Sequence, residues 1–307
     1  MDVSVIIVNY NTKQLLADCL RSVYAQTKGL DFEVIVSDNG SVDGSVEMLR
    51  KDFAQVTLLE NKANLGFGAA NNRGLAVAKG KYVFYLNSDT VLLNNAIKYF
   101  FDYFEQNAAK ENIGALGGIL YDSDWRIVRY ADRFPNFKSD IRDLAFGSYG
   151  FWKLFLKKLL FNKELPPCQQ SAYGERYGEA DFIVGADLFV KNDKSAYFDQ
   201  DFFMYNEEIY LQYLMSLDKK KRLVIKGPKI VHLEGKSSKQ EKIDAVHSES
   251  AFCAVQKRLS AVLYYKKTGV PAIKVFLLQV LTALFWLNPF LIKTNAKFIG
   301  RIFGYAR

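Results

Sequence analysis

Residues Tyr82–Thr90 read YVFYLNSDT. The run Tyr82–Leu86 is apolar and aromatic without interruption, as a strand covered on both faces requires. It stops on Asn87, Ser88 and Asp89, which favour turns, so a carboxylate stands at the strand's carboxyl end. In an open α/β sheet that end lines the ligand crevice. Working outward, three earlier apolar runs have the same character: Val3–Val8, Phe32–Val36 and Val56–Leu59. Between them Leu15, Leu16, Cys19, Leu20 and Val23 repeat at helical spacing behind Asn11, which can cap that helix. Val46–Phe53 reads as a second helix and Gly66–Ala78 as a third, built of small residues. Downstream come a helix over Ala96–Asn107 and a fifth strand over Ile113–Leu120. The alternation predicts an α/β fold, a mostly parallel sheet flanked by helices.

Residues 121–180 are rich in Trp, Tyr and Phe, and Phe151–Phe161 reads as an amphipathic helix with Lys153, Lys157 and Lys158. The segment is expected to be an insertion over the sheet edge, where acceptor-binding surfaces or plain packing are equally open. Strand character returns over Asp181–Val190, then a helix over Asn206–Leu217, short strands over Leu223–Ile225 and Ile230–Leu233, and a long helix over Asp244–Lys267. The most apolar stretch is Lys274–Lys293, interrupted by Gln279, Thr282, Asn288 and Pro289. A helix lying in a membrane interface, a buried docking helix and a true span all remain open for it. Two regions follow, a sheet domain over 1–240 and a helical, membrane-associating tail over 241–307.

Half of the 307 residues are hydrophobic, enough for a sizeable core. The net charge of +8 is uneven. From Lys219 onward there are 18 Lys and Arg against 4 Asp and Glu, while residues 1–218 carry 23 against 29. A basic tail suits an anionic partner: a phosphate-bearing substrate, an anionic lipid or nucleic acid. No nucleic-acid-binding motif accompanies the charge, so no nucleic-acid partner is expected. Cys19, Cys168 and Cys253 are three in number and far apart, which argues against a disulfide framework or a cysteine metal site and for a reducing compartment. No charged and apolar leader precedes the first strand, so no secretory signal is expected.

Five blocks can carry chemistry. In VSDNGSVDGS (Val36–Ser45), Asp38, Asn39, Ser41 and Asp43 follow a strand; they can bind a base or ribose, or form a turn with a helix cap. In NLGFGAANNRG (Asn64–Gly74), the glycines and the helix start can approach an anion, or serve helix–sheet packing. Asp89 can hold Mg²⁺ or Mn²⁺, which typically take one or two carboxylates plus substrate phosphates, or can end the strand in an Asx turn. Glu207 and Glu208 open the helix Asn206–Leu217; one carboxylate can take a proton from a hydroxyl, or both can complement the helix N-terminus. His232, one of two histidines, can ligate a metal or donate to phosphate, or be structural.

Taken in order, VSVIIVNYN, DNGSVDGS, NLGFGAANNRG, LNSDT, FFMYNEE and IVHLEGKS resemble the blocks of the family 2 glycosyltransferases, and most closely their rhamnosyltransferase-like branch. The resemblance runs from about Val3 to Ser238. It implies a GT-A fold over 1–240 and an inverting transfer of one sugar, rhamnose or another hexose, from a dTDP-, UDP- or GDP-sugar. It further implies that Asp38 and Asp43 contact the nucleoside, and that Asn9, Asn11, Asn39, Asn64, Gly66, Asn71, Asn87 and Ser88 line the donor. Asp89, with His232, would hold a divalent metal, Mg²⁺ or Mn²⁺. Glu208 would be the general base, with Glu207 beside it. The acceptor would be a saccharide or a lipid-diphosphate-linked sugar in surface-polysaccharide assembly, met by a cytoplasmic, peripheral protein on the inner face of the plasma membrane. Three departures stand out. Asn87 occupies the first position of the family's DxD motif. The usual E-D-x-D-L block reads Glu207-Glu208-Ile209-Tyr210-Leu211. The QxxRW motif of processive synthases is absent, which points to single-sugar addition. The altered glutamate block leaves a second function open, a catalytically inactive nucleotide-sugar-binding protein on the same fold.

Overall fold

The computed structural model describes residues 1–142, 144, 173–233 and 251–286. The chain divides into two compact units, Met1–Phe134 with Ala172–Ser237, and Pro135–Ser171 with Ser238–Arg307.

The first unit is built on an α/β core. Strands β1 (Val3–Asn9), β2 (Phe32–Asp38), β3 (Thr57–Glu60) and β4 (Tyr82–Asn87) alternate with helices α1 (Lys13–Gln26), α2 (Ser45–Asp52) and α3 (Phe67–Leu75). Then follow β5 (Thr90–Leu92), α4 (Ala96–Asn107), β6 (Ile113–Gly117), β7 (Leu120–Tyr121), β8 (Ala131–Asp132), β9 (Gly178–Ala180), β10 (Phe182–Ile183), β11 (Asp187–Lys191), α5 (Glu207–Leu217), β12 (Lys221–Val224) and β13 (Ile230–His232). Eight strands form the main sheet in the order β3-β2-β1-β4-β11-β6-β12-β9. Strands β1 to β4 are parallel, because each helical crossover carries the chain back to the end of the sheet where the previous strand began. β11 inserts antiparallel between β4 and β6. A smaller sheet, β5-β13-β7, stands beside the end of β4.

The sheet's two faces explain the sequence pattern. β1 and β4 are buried almost throughout because helices cover both sides. Between the sheet and α4, Phe84, Phe100 and Phe189 pack with ring centroids 5.4–6.0 Å apart, at the separations where offset and tilted pairs are favourable.

Three sequence expectations change. The strand expected over Ile113–Leu120 divides into β6 and β7, because Gly118 N–H turns out of the ladder to donate to the Asp187 carboxylate (2.6 Å). The run Asp181–Val190 divides into β10 and β11; Val184 N–H between them donates to the Tyr130 carbonyl instead. Asn11 does not cap α1. It adopts a left-handed backbone (φ 53°) and accepts from Val42 N–H, while the α1 N-terminus is capped from outside by Asp43, which accepts from Lys13 N–H (2.8 Å).

In the second unit, α6 (Ala251–Lys267) and α7 (Ala272–Trp286) pack as a hairpin around a short turn. The helix expected over Phe151–Phe161, the start of the one expected over Asp244–Lys267, and the end of Lys274–Lys293 lie outside the described residues. No described helix is long and apolar enough to cross a membrane.

Candidate active site

The register of the sheet brings the candidate residues to one edge. Asn9 stands beside Asp38, Val8 beside Asn87 and Leu86 beside Asp187, so β1, β2 and β4 end where β11 begins. The smaller sheet adds the last member: β13 runs antiparallel to β5, which sets His232 opposite Thr90, and Leu233 N–H donates to the Asp89 carbonyl. His232 Nε2 thus lies 3.3 Å from Asp89 Oδ1 and 3.4 Å from Asn87 Nδ2. Asp89 and His232 are both largely buried. The Asn87 side-chain oxygen, also buried, has no hydrogen-bond partner. Among the described residues no group of three or more His, Cys, Asp or Glu is placed to hold a metal. One carboxylate, one imidazole and one amide carbonyl are what the strand end offers.

On the β2 side, Asp38 is almost fully buried. Its Oδ1 accepts from Gly40 and Ser41 N–H, and its Oδ2 accepts from Asn9 Nδ2 at 2.7 Å. Asn9 in turn accepts from the Thr12 hydroxyl (2.7 Å), which lies 3.0 Å from the Ser88 hydroxyl. A continuous polar chain therefore couples the Asp38 loop to the turn that carries Asp89. Asp43 accepts from Lys13 N–H and from the Ser45 hydroxyl and N–H. Partial burial would raise its carboxyl pKa, but these hydrogen bonds outweigh it and hold the group below the usual range.

Asn39 and Asn64 bind each other (3.3 Å), and Asn39 also donates to the Gly66 carbonyl. Gly66 is left-handed (φ 87°), and a Cβ there would stand 2.1 Å from the Phe203 carbonyl oxygen. That oxygen accepts from Phe67 N–H (2.9 Å), so the glycine block is fastened to the segment leading into α5. Asn71 donates to Phe67 O within α3, and buried Asn72 clasps both the N–H and the carbonyl of Phe198.

α5 begins after two consecutive left-handed residues, Tyr205 (φ 69°) and Asn206 (φ 64°), a backbone arrangement that costs energy and is common at functional sites. The two glutamates then separate. Glu207 turns inward against Gly68 and is buried, with one carboxyl oxygen lacking a hydrogen-bond partner. Burial, and then the neighbouring Glu208, push its carboxyl well above the usual range. Glu208 is half-buried, with its Cβ at the Gly185 backbone. Gly185 adjoins Ala186, whose carbonyl accepts from Asn87 N–H (3.1 Å), so the α5 N-terminus sits beside the Asp89 strand end. Gln212, fully buried, holds this arrangement: it accepts from Ile183 N–H and donates to the carbonyls of Ile183 and Glu208. Tyr210, where the family block has an acid, packs on Phe202 and Tyr213.

Thr12, Gln212 and Asp187 were not singled out in the sequence. The Asp187 carboxyl is completely buried, and burial raises its pKa well above the usual range, against the hydrogen bond from Gly118 N–H.

The sequence profile described as glycosyl transferase family 2 matches residues 4–161, just over half of the chain. The chain belongs to glycosyl transferase family 2. Within that family it is 32% identical over 124 residues to a poly(ribitol-phosphate) beta-glucosyltransferase of Bacillus spizizenii, covering 39% of this chain and 20% of the relative. It is 33% identical over 119 residues to the poly(ribitol-phosphate) beta-N-acetylglucosaminyltransferase TarP of Staphylococcus aureus, covering 38% and 36%. The match thus spans well under half the length of these relatives. Among solved structures, a mannosyltransferase of Pyrobaculum calidifontis in complex with GDP-Man and Mn²⁺ superposes with a TM-score of 0.54 at 15% identity, covering 99% of this chain and 73% of that one. At that identity the likeness concerns the fold, and the fold is the GT-A one expected for the family.

Proposed function

We propose that this chain is an inverting glycosyltransferase that moves one sugar from a nucleotide-diphosphate donor to an acceptor hydroxyl. The observation that carries this reading is the convergence at one sheet edge of the Asp38 loop, the Asp89–His232 pair and the Glu208 helix start. These groups divide the work. The buried Asp38–Asn9–Thr12–Ser88 chain preorganises the nucleoside end of the crevice, and the lone pairs of Asp38 and Asn9 not used within the loop accept from the base or ribose. Asp43 acts by fixing that loop to the α1 N-terminus.

The strand end fits a hard divalent ion. Asp89 supplies a carboxylate, His232 an imidazole nitrogen, and Asn87 a buried carbonyl oxygen without another partner. A donor set this small suits Mg²⁺ or Mn²⁺, which complete their coordination with phosphate and water oxygens. When bound, such an ion neutralises charge on the departing diphosphate. Glu208 takes the proton of the acceptor hydroxyl. The acceptor oxygen then bonds to the anomeric carbon from the side opposite the diphosphate, the bond from that carbon to the diphosphate oxygen breaks, and configuration inverts. Glu207 is buried, and its raised carboxyl pKa disfavours a second negative charge beside the base.

The relatives named for glycosylating poly(ribitol-phosphate) support an acceptor in surface-polymer assembly, a saccharide or a lipid-diphosphate-linked chain. The GDP-Man neighbour supports a nucleotide-sugar donor, a UDP-, dTDP- or GDP-sugar. An anionic, cytoplasmic membrane face is where a basic protein would meet a lipid-linked acceptor.

The test is Glu208→Gln. Transfer should fall by about 10²–10⁴-fold while donor affinity, measured by calorimetry, stays within a few-fold. Full transfer activity in this variant would remove Glu208 from the reaction.

A further inference from the structure

We propose that one face of α7 docks this chain onto an anionic phospholipid bilayer, with the helix lying in the plane of the interface. The proposal deepens the membrane-side acceptor suggested above by naming the surface that reaches the lipid.

The first observation is an inverted polarity. On α7 the buried face includes Gln279 (3% exposed) and Thr282 (1%), together with Val275 and Leu278. The exposed face is hydrocarbon: Ile273 is 74% exposed, Phe276 52% and Leu277 48%, with Val280 half-exposed on the same stripe. These four recur at i, i+3, i+4 and i+7, which places them on one side of a helix. A helix at a water surface has the opposite arrangement, because exposing apolar area costs about 25 cal/mol per Å². A continuous exposed apolar stripe marks an interaction surface.

Charge identifies the partner. Between Ala251 and Arg307 there are nine Lys and Arg and no Asp or Glu. Lys266 and Lys267 end α6, the turn Thr268–Pro271 follows, and Lys274 adjoins Ile273 in the first turn of α7. Cationic groups therefore rim the apolar stripe at the hairpin's tip. A surface that is apolar at its centre and cationic at its edge matches the acyl and anionic headgroup layers of a bilayer together. The apolar stripe occupies one side of α7 only, with Gln279 and Thr282 on the other, and a helix of that pattern lies along the interface rather than crossing the hydrocarbon core.

Flotation of the full chain with vesicles tests this. Vesicles of phosphatidylcholine alone are compared with vesicles containing phosphatidylglycerol at about one third. The expected results are capture by the anionic vesicles, weak capture by the neutral ones, and release as salt screens the lysines. The pair Ile273→Asp and Leu277→Asp should reduce capture at least about tenfold. Leu217→Asp, an equally exposed site at the end of α5, should leave it unchanged. Lys266→Gln with Lys274→Gln should weaken capture by anionic vesicles without altering the melt, which guards against a misfolded aspartate variant. Capture undiminished in the aspartate pair, or equal on neutral vesicles, overturns the proposal. So does a wild-type chain that ignores vesicles yet forms a dimer that the same pair dissolves, which assigns the face to a second copy. Nucleotide release from donor in vesicle-free solution should be equal in wild type and the aspartate pair, so failure of the docking face and failure of the transferase reading are separable.

Discussion

At the residue scale, two adjacent glutamates have opposite fates. Glu207 is buried, which pushes its carboxyl pKa up, whereas Glu208 is only partly buried, with its Cβ at the Gly185 backbone. Glu207→Gln should therefore keep transfer within a few-fold of wild type, while Glu208→Gln loses it; paired steady-state assays check the contrast. Stability follows the same chemistry. A carboxyl whose folded pKa is raised stays protonated when its unfolded counterpart ionises, so the native state is favoured below the unfolded pKa and loses that advantage as pH rises towards the folded value. Glu207 and Asp187 are both of this kind, starting from ordinary values of 4.5 and 3.8. Urea melts from pH 4 upward should show stability declining by up to about 1.4 kcal/mol per pH unit for each group, and Glu207→Gln should flatten its share. A slope unchanged in the variant would show that Glu207 ionises like an ordinary carboxyl. That Asp89 follows the end of β4, Glu208 lies in the first turn of α5 and His232 ends β13 was legible from the order of strand, turn and helix signals in each block. Thr12 and Gln212 were not, because each is defined by partners 76 and 29 positions away.

At the element scale, two fastenings hold the glycine block of α3 and the start of α5 in place. Gly66 lets α3 begin against the Phe203 carbonyl, and Gln212 ties α5 to the backbone of Ile183. Gly66→Ala places a Cβ 2.1 Å from that oxygen in a left-handed backbone and should destabilise the fold by about 2–3 kcal/mol in chemical denaturation. A variant as stable as wild type would mean the loop has another resting place. Gln212→Ala leaves the buried Ile183 N–H without its acceptor, which should cost about 1–3 kcal/mol and lower kcat more than it changes KM for donor. Element type was readable from periodicity: Ala96–Asn107 is α4 as expected, and β1, β2 and β4 differ by a residue or two at one end. The misread boundaries share a cause. Gly118 and Val184 make hydrogen bonds to distant groups, Asp187 and Tyr130, and no local pattern encodes those partners. The cap of α1 likewise comes from Asp43, thirty positions away.

At the scale of the whole molecule, the parallel strands and the inserted antiparallel β11 gather residues from Asn9 to His232 at one edge, so that blocks scattered over the sequence come together. The likeness to family 2 was visible because those blocks keep their order, whereas the α7 face depends on which side of the helix is covered and needed the folded hairpin. The most direct measurement is nucleotide release from UDP-, dTDP- and GDP-sugars with Mn²⁺ or Mg²⁺, beside Asp89→Asn, with calorimetry of the free nucleotides. One donor should release its nucleotide, and release should vanish with chelator and in the variant. A wild-type chain that neither binds nor turns over any of the three, or an Asp89→Asn variant as active as wild type, would contradict a donor site built on the end of β4.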